Sequence, residues 1–223
     1  MGVDIKNKGK LFVIEGLDGC GKSTQLEMLK SKTDNNTRFI SFPNYDSASG
    51  QIIKDYLSGK FVEENGKAGA YTASSFYAVD RYISYKTDWE KDYQAGKTII
   101  AARYTSSNAI YQMTKLDKSQ WDEYLSWLED YEYEKFGIPR PDKVVFLDMP
   151  IEVSQKLLSS RYGGNEDKKD IHERNVDFLK ACREAALYTA ERKGWFILPC
   201  SDGENPFIPE SINEQLSALI LDN

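Results

Sequence analysis

Histidine and cysteine are scarce in this chain: one histidine, His172, and three widely spaced cysteines, Cys20, Cys182 and Cys200. Neither a zinc pattern nor a disulfide framework can be assembled from them, which points to a reducing compartment. His172 falls at an expected helix start, away from any nucleophile, and reads as a surface residue. No apolar run approaches membrane-spanning length, and the opening MGVDIKNKGK has no apolar signal core. It begins Met-Gly, yet Lys6 stands where a myristoylation pattern wants Ser or Thr. The expectation is a soluble, cytoplasmic protein with no membrane partner. Positive charge is also short. Lys and Arg total 29 against 35 Asp and Glu, a net charge of −6 without a basic stripe, so polymer nucleic acid is not the expected partner. No repeat, low-complexity tract or Pro/Gly-rich linker divides the 223 residues, which suit one domain, 1–223, with a substantial core.

What the sequence does have is concentrated at residues 10–24, KLFVIEGLDGCGKST. Leu11-Phe12-Val13-Ile14 reads as a buried strand, and TQLEMLKSK has helical spacing. Between them Gly16-Leu17-Asp18-Gly19-Cys20-Gly21-Lys22-Ser23 fits G-x-x-x-x-G-K-[ST] at each fixed position. Gly16, Gly19 and Gly21 admit backbone angles closed to other residues, so successive N–H groups can turn inward as an anion nest. The helix start adds its positive end. In this arrangement Lys22 reaches the β- and γ-phosphates of a nucleoside triphosphate, and the Ser23 hydroxyl is a ligand for Mg²⁺. Cys20 is read as merely a small residue in the loop. Aromatic residues make up 13% of the chain, 14 of them Tyr, and flat rings near a phosphate site can stack on bases.

Strand-like runs recur at 10–15, 38–42, 97–102, 143–148 and 195–198, separated by stretches of helical spacing. That alternation predicts an α/β fold with a parallel sheet flanked by helices, and a ligand crevice beyond the carboxyl ends of the strands. Phe42-Pro43-Asn44-Tyr45 follows the second strand, and 60–70 reads as a mobile polar loop. On helix 71–94, Tyr77 and Arg81 share a face: either a ring and a guanidinium holding a nucleobase, or a core tyrosine with an exposed arginine. Arg103 follows the third strand and suits a phosphate bidentately. Ser107, Asn108 and Gln112 come next, as pocket groups or as helix-start chemistry. Asp148 ends the fourth strand, either near the metal or simply as a carboxylate at a helix start. Residues 161–171 form either a solvated loop or a lid over the triphosphate. Trp121, Trp127 and Trp195 are expected to pack. Glu129, Asp130, Glu132 and Glu134 read as an acidic, solvated helix face.

Taken together, FVIEGLDGCGKSTQ, FPNY…SGQIIKDYLSG, FYAVDRY, RYTSSNAIYQ and KVVFLDMP…R resemble the thymidylate kinase family, over nearly the whole chain. The phosphate loop alone specifies little; its occurrence with DRY at 80–82 and RY..S…YQ at 103–112 is far more specific. The resemblance implies a five-stranded parallel sheet flanked by helices, as in P-loop nucleoside monophosphate kinases. It implies ATP and Mg²⁺, transfer of the γ-phosphoryl to thymidine monophosphate, and a homodimer. ATP would lie on Gly16, Leu17, Asp18, Gly19, Cys20, Gly21, Lys22, Ser23 and Thr24, with Arg161 on its adenine side. Asp18 would also contact the acceptor sugar, and Phe42, Pro43 and Tyr45 belong to the acceptor segment. Tyr77 would stack on thymine, Arg81 address its edge, and Arg103 hold the acceptor phosphate. Ser107, Asn108 and Gln112 would line the base pocket.

Three departures from that pattern stand out. Where the family usually has an acidic residue before the arginine at 103, this chain has Ala102. Loss of such a positioned group costs on the order of 10²–10⁴ in rate. Tyr45 stands near a position where many relatives carry arginine. The lid lacks the usual Asp-Arg pair, so Lys168 or Lys169 would have to supply the catalytic cation, as a point charge. Two other functions therefore compete: a deoxynucleoside kinase acting on a 5′-hydroxyl, and a nucleotide-binding module with little catalysis.

Overall fold

The computed structural model describes residues 8–61, 66–161 and 175–221. Its strands are β1 (Leu11–Gly16), β2 (Thr37–Ser41), β3 (Thr98–Ala102), β4 (Lys143–Asp148) and β5 (Phe196–Pro199). Its helices are α1 (Lys22–Lys30), α2 (Ala48–Leu57), α3 (Gly66–Ser84), α4 (Glu90–Gln94), α5 (Thr105–Tyr111), α6 (Trp121–Glu129), α7 (Ile151–Arg161), α8 (Val176–Lys193) and α9 (Pro209–Leu221). The strands make one five-stranded parallel sheet in the order β2-β3-β1-β4-β5, flanked by helices as expected. Two compact units divide the chain: Met1–Val13 with Asp34–Asp142, and Ile14–Thr33 with Lys143–Asn223.

In the first unit, β2 and β3 pair in register from Thr37↔Thr98 to Ser41↔Ala102. Its core gathers Trp89, Ile99, Ile100, Tyr104 and Tyr124, all fully buried. Each such side chain contributes about 1.5–3 kcal/mol on leaving water. The turn after β2 is pinned twice. Phe42 N–H donates to the Ala102 carbonyl, and the Asp80 carboxylate of α3 accepts from Asn44 N–H and the Ser49 hydroxyl. Gly50 is required there, because a Cβ would lie 1.9 Å from the Asn44 oxygen. Ser47 then caps α2 by accepting from Gly50 N–H.

The stretch 60–70, read as a loop, is in part helix: α3 already begins at Gly66. Small size explains it, since Ala70, Ala73 and Ser74 are fully buried on the face that continues to Asp80 and Arg81. A second correction concerns Glu132. It is no part of a solvated acidic face but fully buried, within a π-helical turn, Asp130–Lys135, that continues α6.

In the second unit, β4 and β5 pair from Val145↔Phe196 to Asp148↔Pro199. Val145, Phe146 and Leu147 are buried, as are Leu29, Leu179, Ala186 and Leu216 of its helices. β5 stands at the sheet edge, and its WFIL run is accordingly half open: Phe196 and Ile197 are exposed. Buried Gln25 of α1 accepts from Asn213 of α9 and donates to the Pro209 carbonyl, tying the first helix to the last. Asn175 caps α8, and Gly194, at φ 67°, ends it in the left-handed conformation.

Candidate active site

β1 delivers the chain into the phosphate loop. Gly19 and Gly21 take φ of 79° and 84°, the left-handed region open to glycine. Gly21 occupies the cap position of α1, whose start has no side-chain cap and no acidic residue in its first turn. Its N–H groups and positive dipole end are therefore left for an anion. Lys22 Nζ donates to the Gly16 carbonyl at 3.0 Å, so the ammonium is folded over the loop. Ser23 and Thr24 are exposed at the head of α1, and Asp18 is half-buried.

Two glycines of the loop are held by close approach. A Cβ at Gly16 would meet Cys20 Sγ at 2.5 Å, which fits Cys20 as a small buried packing residue. A Cβ at Gly19 would lie 2.9 Å from Leu158 Cγ and 3.0 Å from the Ser154 carbonyl oxygen. Gly19→Ala is thus expected to weaken ATP binding and to destabilise the fold by about 1–3 kcal/mol, the cost of a non-glycine left-handed residue. ATP titration calorimetry and thermal unfolding check both. Burial, with Cys20 and Asp148 as neighbours, pushes the Cys200 thiol up to about 12, so it stays protonated and inert at neutral pH.

The carboxylate of Asp148 takes a bidentate pair from Arg183 of α8, at 2.7 Å from Nε and 2.8 Å from Nη2. Both of its oxygens are engaged by a guanidinium. Arg161 closes α7. Its side chain, together with Lys168, Lys169 and the rest of the 161–171 lid segment, lies outside the described residues, as does His172. Among the described residues no cluster of three His, Cys, Asp or Glu could hold a metal.

In the first unit, three of the residues expected to receive the acceptor, Tyr45, Arg81 and Arg103, lie near Tyr77. This phenol is half-buried, and burial, with Tyr45 and Tyr56 as neighbours, raises its pKa against the opposing pull of Arg103 and Arg81. Arg103 has φ 66°, the only non-glycine residue in the left-handed region among the described residues. Strain of this kind collects at functional positions. Its Nη1 donates to the Tyr111 hydroxyl at 2.8 Å and its guanidinium lies 5.0 Å from that ring's centre. Ala102 is buried just before it. Phe42 packs on Tyr104 with ring centres 5.8 Å apart, while Tyr45 is exposed. Ser107 is half-buried on α5.

Arg81 is neither exposed nor alone. It is 2% exposed, and its Nε and Nη2 each donate at 2.6 Å to the Glu132 carboxylate. Burial would lower its pKa, but the adjacent carboxylate outweighs that and leaves it raised. Asn108 and Gln112 are both buried, one helical turn apart, and Gln112 Oε1 has no hydrogen-bond partner among the described residues. A buried acceptor left open in this way suits a ligand N–H. Sequence reasoning missed Glu132, although Trp121, Leu125, Leu128 and Glu132 continue one helical stripe.

A family model described as thymidylate kinase matches residues 14–206. Probable thymidylate kinase 1 of Saccharolobus solfataricus is 27% identical over 203 residues, covering 91% of this chain and 95% of that protein. The thymidylate kinase of Arabidopsis thaliana is 29% identical over 223 residues, covering 98% of this chain and 73% of its own. Among solved structures, a thymidylate kinase from Candida albicans superposes with a TM-score of 0.72 at 22% identity, covering 97% of this chain and 92% of that one. With the family model matched over most of its length, this chain belongs to the thymidylate kinase family and is an ATP-dependent nucleoside monophosphate kinase.

Proposed function

We propose that the enzyme transfers the γ-phosphoryl group of ATP to the 5′-phosphate of thymidine monophosphate, giving dTDP and ADP. The observation that carries this reading is the buried pair Arg81 and Asn108, held together on the Glu132 carboxylate, with the half-buried Tyr77 ring next to Arg81 and the open acceptor of buried Gln112 one helical turn beyond Asn108. Loop amides of Gly16–Thr24 and the Lys22 ammonium hold the polyphosphate of ATP, with Arg161 on its adenine side. Asp18 contacts the acceptor sugar, Tyr77 stacks on thymine, and Arg81 addresses its edge. Ser107, Asn108 and Gln112 line the base pocket, Phe42, Pro43 and Tyr45 border it, and Arg103 holds the acceptor phosphate. Lys168 or Lys169 supplies the further cation to the transferring group. The acceptor is already a phosphate dianion, so no strong general base is needed.

Ser23 is the residue that would hold Mg²⁺. It is exposed at the first turn of α1, and its one hydroxyl suits an ion whose other ligands are phosphate oxygens and water. When bound, the ion supplies neutralisation of charge on the β- and γ-phosphates. The enzyme is further read as a cytoplasmic homodimer; among the described residues no helix is long and apolar enough to cross a membrane. With Ala102 in place of the usual carboxylate, turnover is expected to be slowed by about 10²–10⁴ relative to an acidic residue there.

ADP release in the presence of Mg²⁺, measured with dTMP and with thymidine, tests the assignment. Release with dTMP and not with thymidine is the expected result. The reverse preference would make the chain a deoxynucleoside kinase.

A further inference from the structure

We infer that Glu132 is the positioning residue of the acceptor-base pocket and sets the hydrogen-bond polarity that selects a pyrimidine with a protonated imide edge. This rests on the acceptor pocket proposed above. The side chain is fully buried in the π-helical turn Asp130–Lys135, a distortion that recurs at functional sites. Its carboxylate gathers four donors. Arg81 Nε and Thr105 Oγ1 donate to Oε2 at 2.6 and 2.9 Å, and Arg81 Nη2 and Asn108 Nδ2 donate to Oε1 at 2.6 and 3.2 Å. Two of the residues assigned to the base are thus held by one anion, which itself needs no contact with substrate.

The donor count fixes what those two residues can offer. A guanidinium carries five N–H groups. Arg81 commits Nε and Nη2 to Glu132, and Nη1 donates to the Tyr104 carbonyl at 3.3 Å. One N–H on each terminal nitrogen is left, so Arg81 can only donate to a base. The Asn108 amide has two hydrogens, and Nδ2 donates both to Glu132 and, at 3.2 Å, to the Ser74 carbonyl. Because both partners are acceptors, the carboxamide is locked with Oδ1 as its accepting end. An arginine donor beside an asparagine acceptor complements a ring carbonyl beside a ring N–H. Thymine and uracil present that pair; cytosine presents an amine beside an unprotonated ring nitrogen, the reverse.

Glu132→Gln is the discriminating change, because a carboxamide brings its own N–H groups into a ring of donors. Asn108 then gains by turning its amide over, and the pocket loses its preference. The measurements are KM and kcat for dTMP and dCMP, KM for ATP, and thermal unfolding, on the wild type, Glu132→Gln and Glu132→Asp. In Glu132→Gln, KM for dTMP should rise and the dTMP-over-dCMP ratio of kcat/KM should fall, each by on the order of tenfold or more, with KM for ATP unchanged. Glu132→Asp keeps an acceptor-only anion. It should raise KM for dTMP severalfold yet retain the preference for dTMP, a rescue that mere structural damage would not produce.

A folded Glu132→Gln enzyme with wild-type selectivity would overturn the inference and leave the proposed function standing. If that variant does not fold, Glu132→Asp decides: wild-type KM for dTMP overturns the inference, and a raised KM with selectivity kept supports it. A wild-type enzyme that neither binds nor turns over either monophosphate sinks the proposed function, and this inference with it.

Discussion

Lys22→Ala will lower phosphoryl transfer by about 10³-fold or more while leaving the protein folded. The ammonium is the one cation that the phosphate loop itself carries, and Nζ, 3.0 Å from the Gly16 carbonyl, lies over the loop. In the proposed role its charge would be worth most as negative charge spreads over the transferring oxygens. The backbone N–H groups at the head of α1 survive the substitution, so ATP should still bind, more weakly. Stability should change by no more than about 1 kcal/mol, the worth of one half-exposed hydrogen bond. ADP release with dTMP, ATP titration calorimetry and thermal unfolding separate the three effects. Retained turnover in this variant would remove the loop from the chemistry.

How much of this could be read from residues alone depends on sequence distance. The phosphate loop was legible because its parts are contiguous: an apolar strand, glycines at fixed spacing, Lys22 and Ser23, then a helix. All of it reappears within Leu11–Lys30, with the left-handed angles at Gly19 and Gly21 that the pattern demands. The order of strands was not legible: a run such as WFIL signals a strand but not that β5 stands at the edge. Pairings over long separations were hidden as well. Glu132 reaches Arg81 across 51 residues and Arg183 reaches Asp148 across 35. Glu132 did leave a signal. Trp121, Leu125 and Leu128 mark a buried stripe of α6, and an acid at the next step of that stripe must find a cation. Its acidic neighbours Glu129, Asp130 and Glu134 masked that step. For Arg81 the shared face with Tyr77 was visible, but its burial depended on a partner that local spacing could not supply.

The same reasoning makes Ala102→Asp the change with the largest expected gain. Ala102 ends β3, directly before the strained Arg103, and its carbonyl holds Phe42 N–H, so the backbone at this point is fixed on both sides. A carboxylate there would sit next to the guanidinium proposed to hold the acceptor phosphate. It would position that phosphate and the attacking oxygen, and turnover of dTMP should rise by about 10²–10⁴. The site is buried, 7% exposed, so the new carboxylate costs stability unless it finds donors. The melting temperature is therefore expected to fall as the rate rises. Opposite signs in the two measurements distinguish a restored catalytic group from a general improvement in folding. A rise in rate identifies a kinase slowed at a single position. If neither form turns over dTMP while both bind ATP with Mg²⁺, the loop serves binding alone, and the pocket around Tyr77 must be assigned to recognition without transfer.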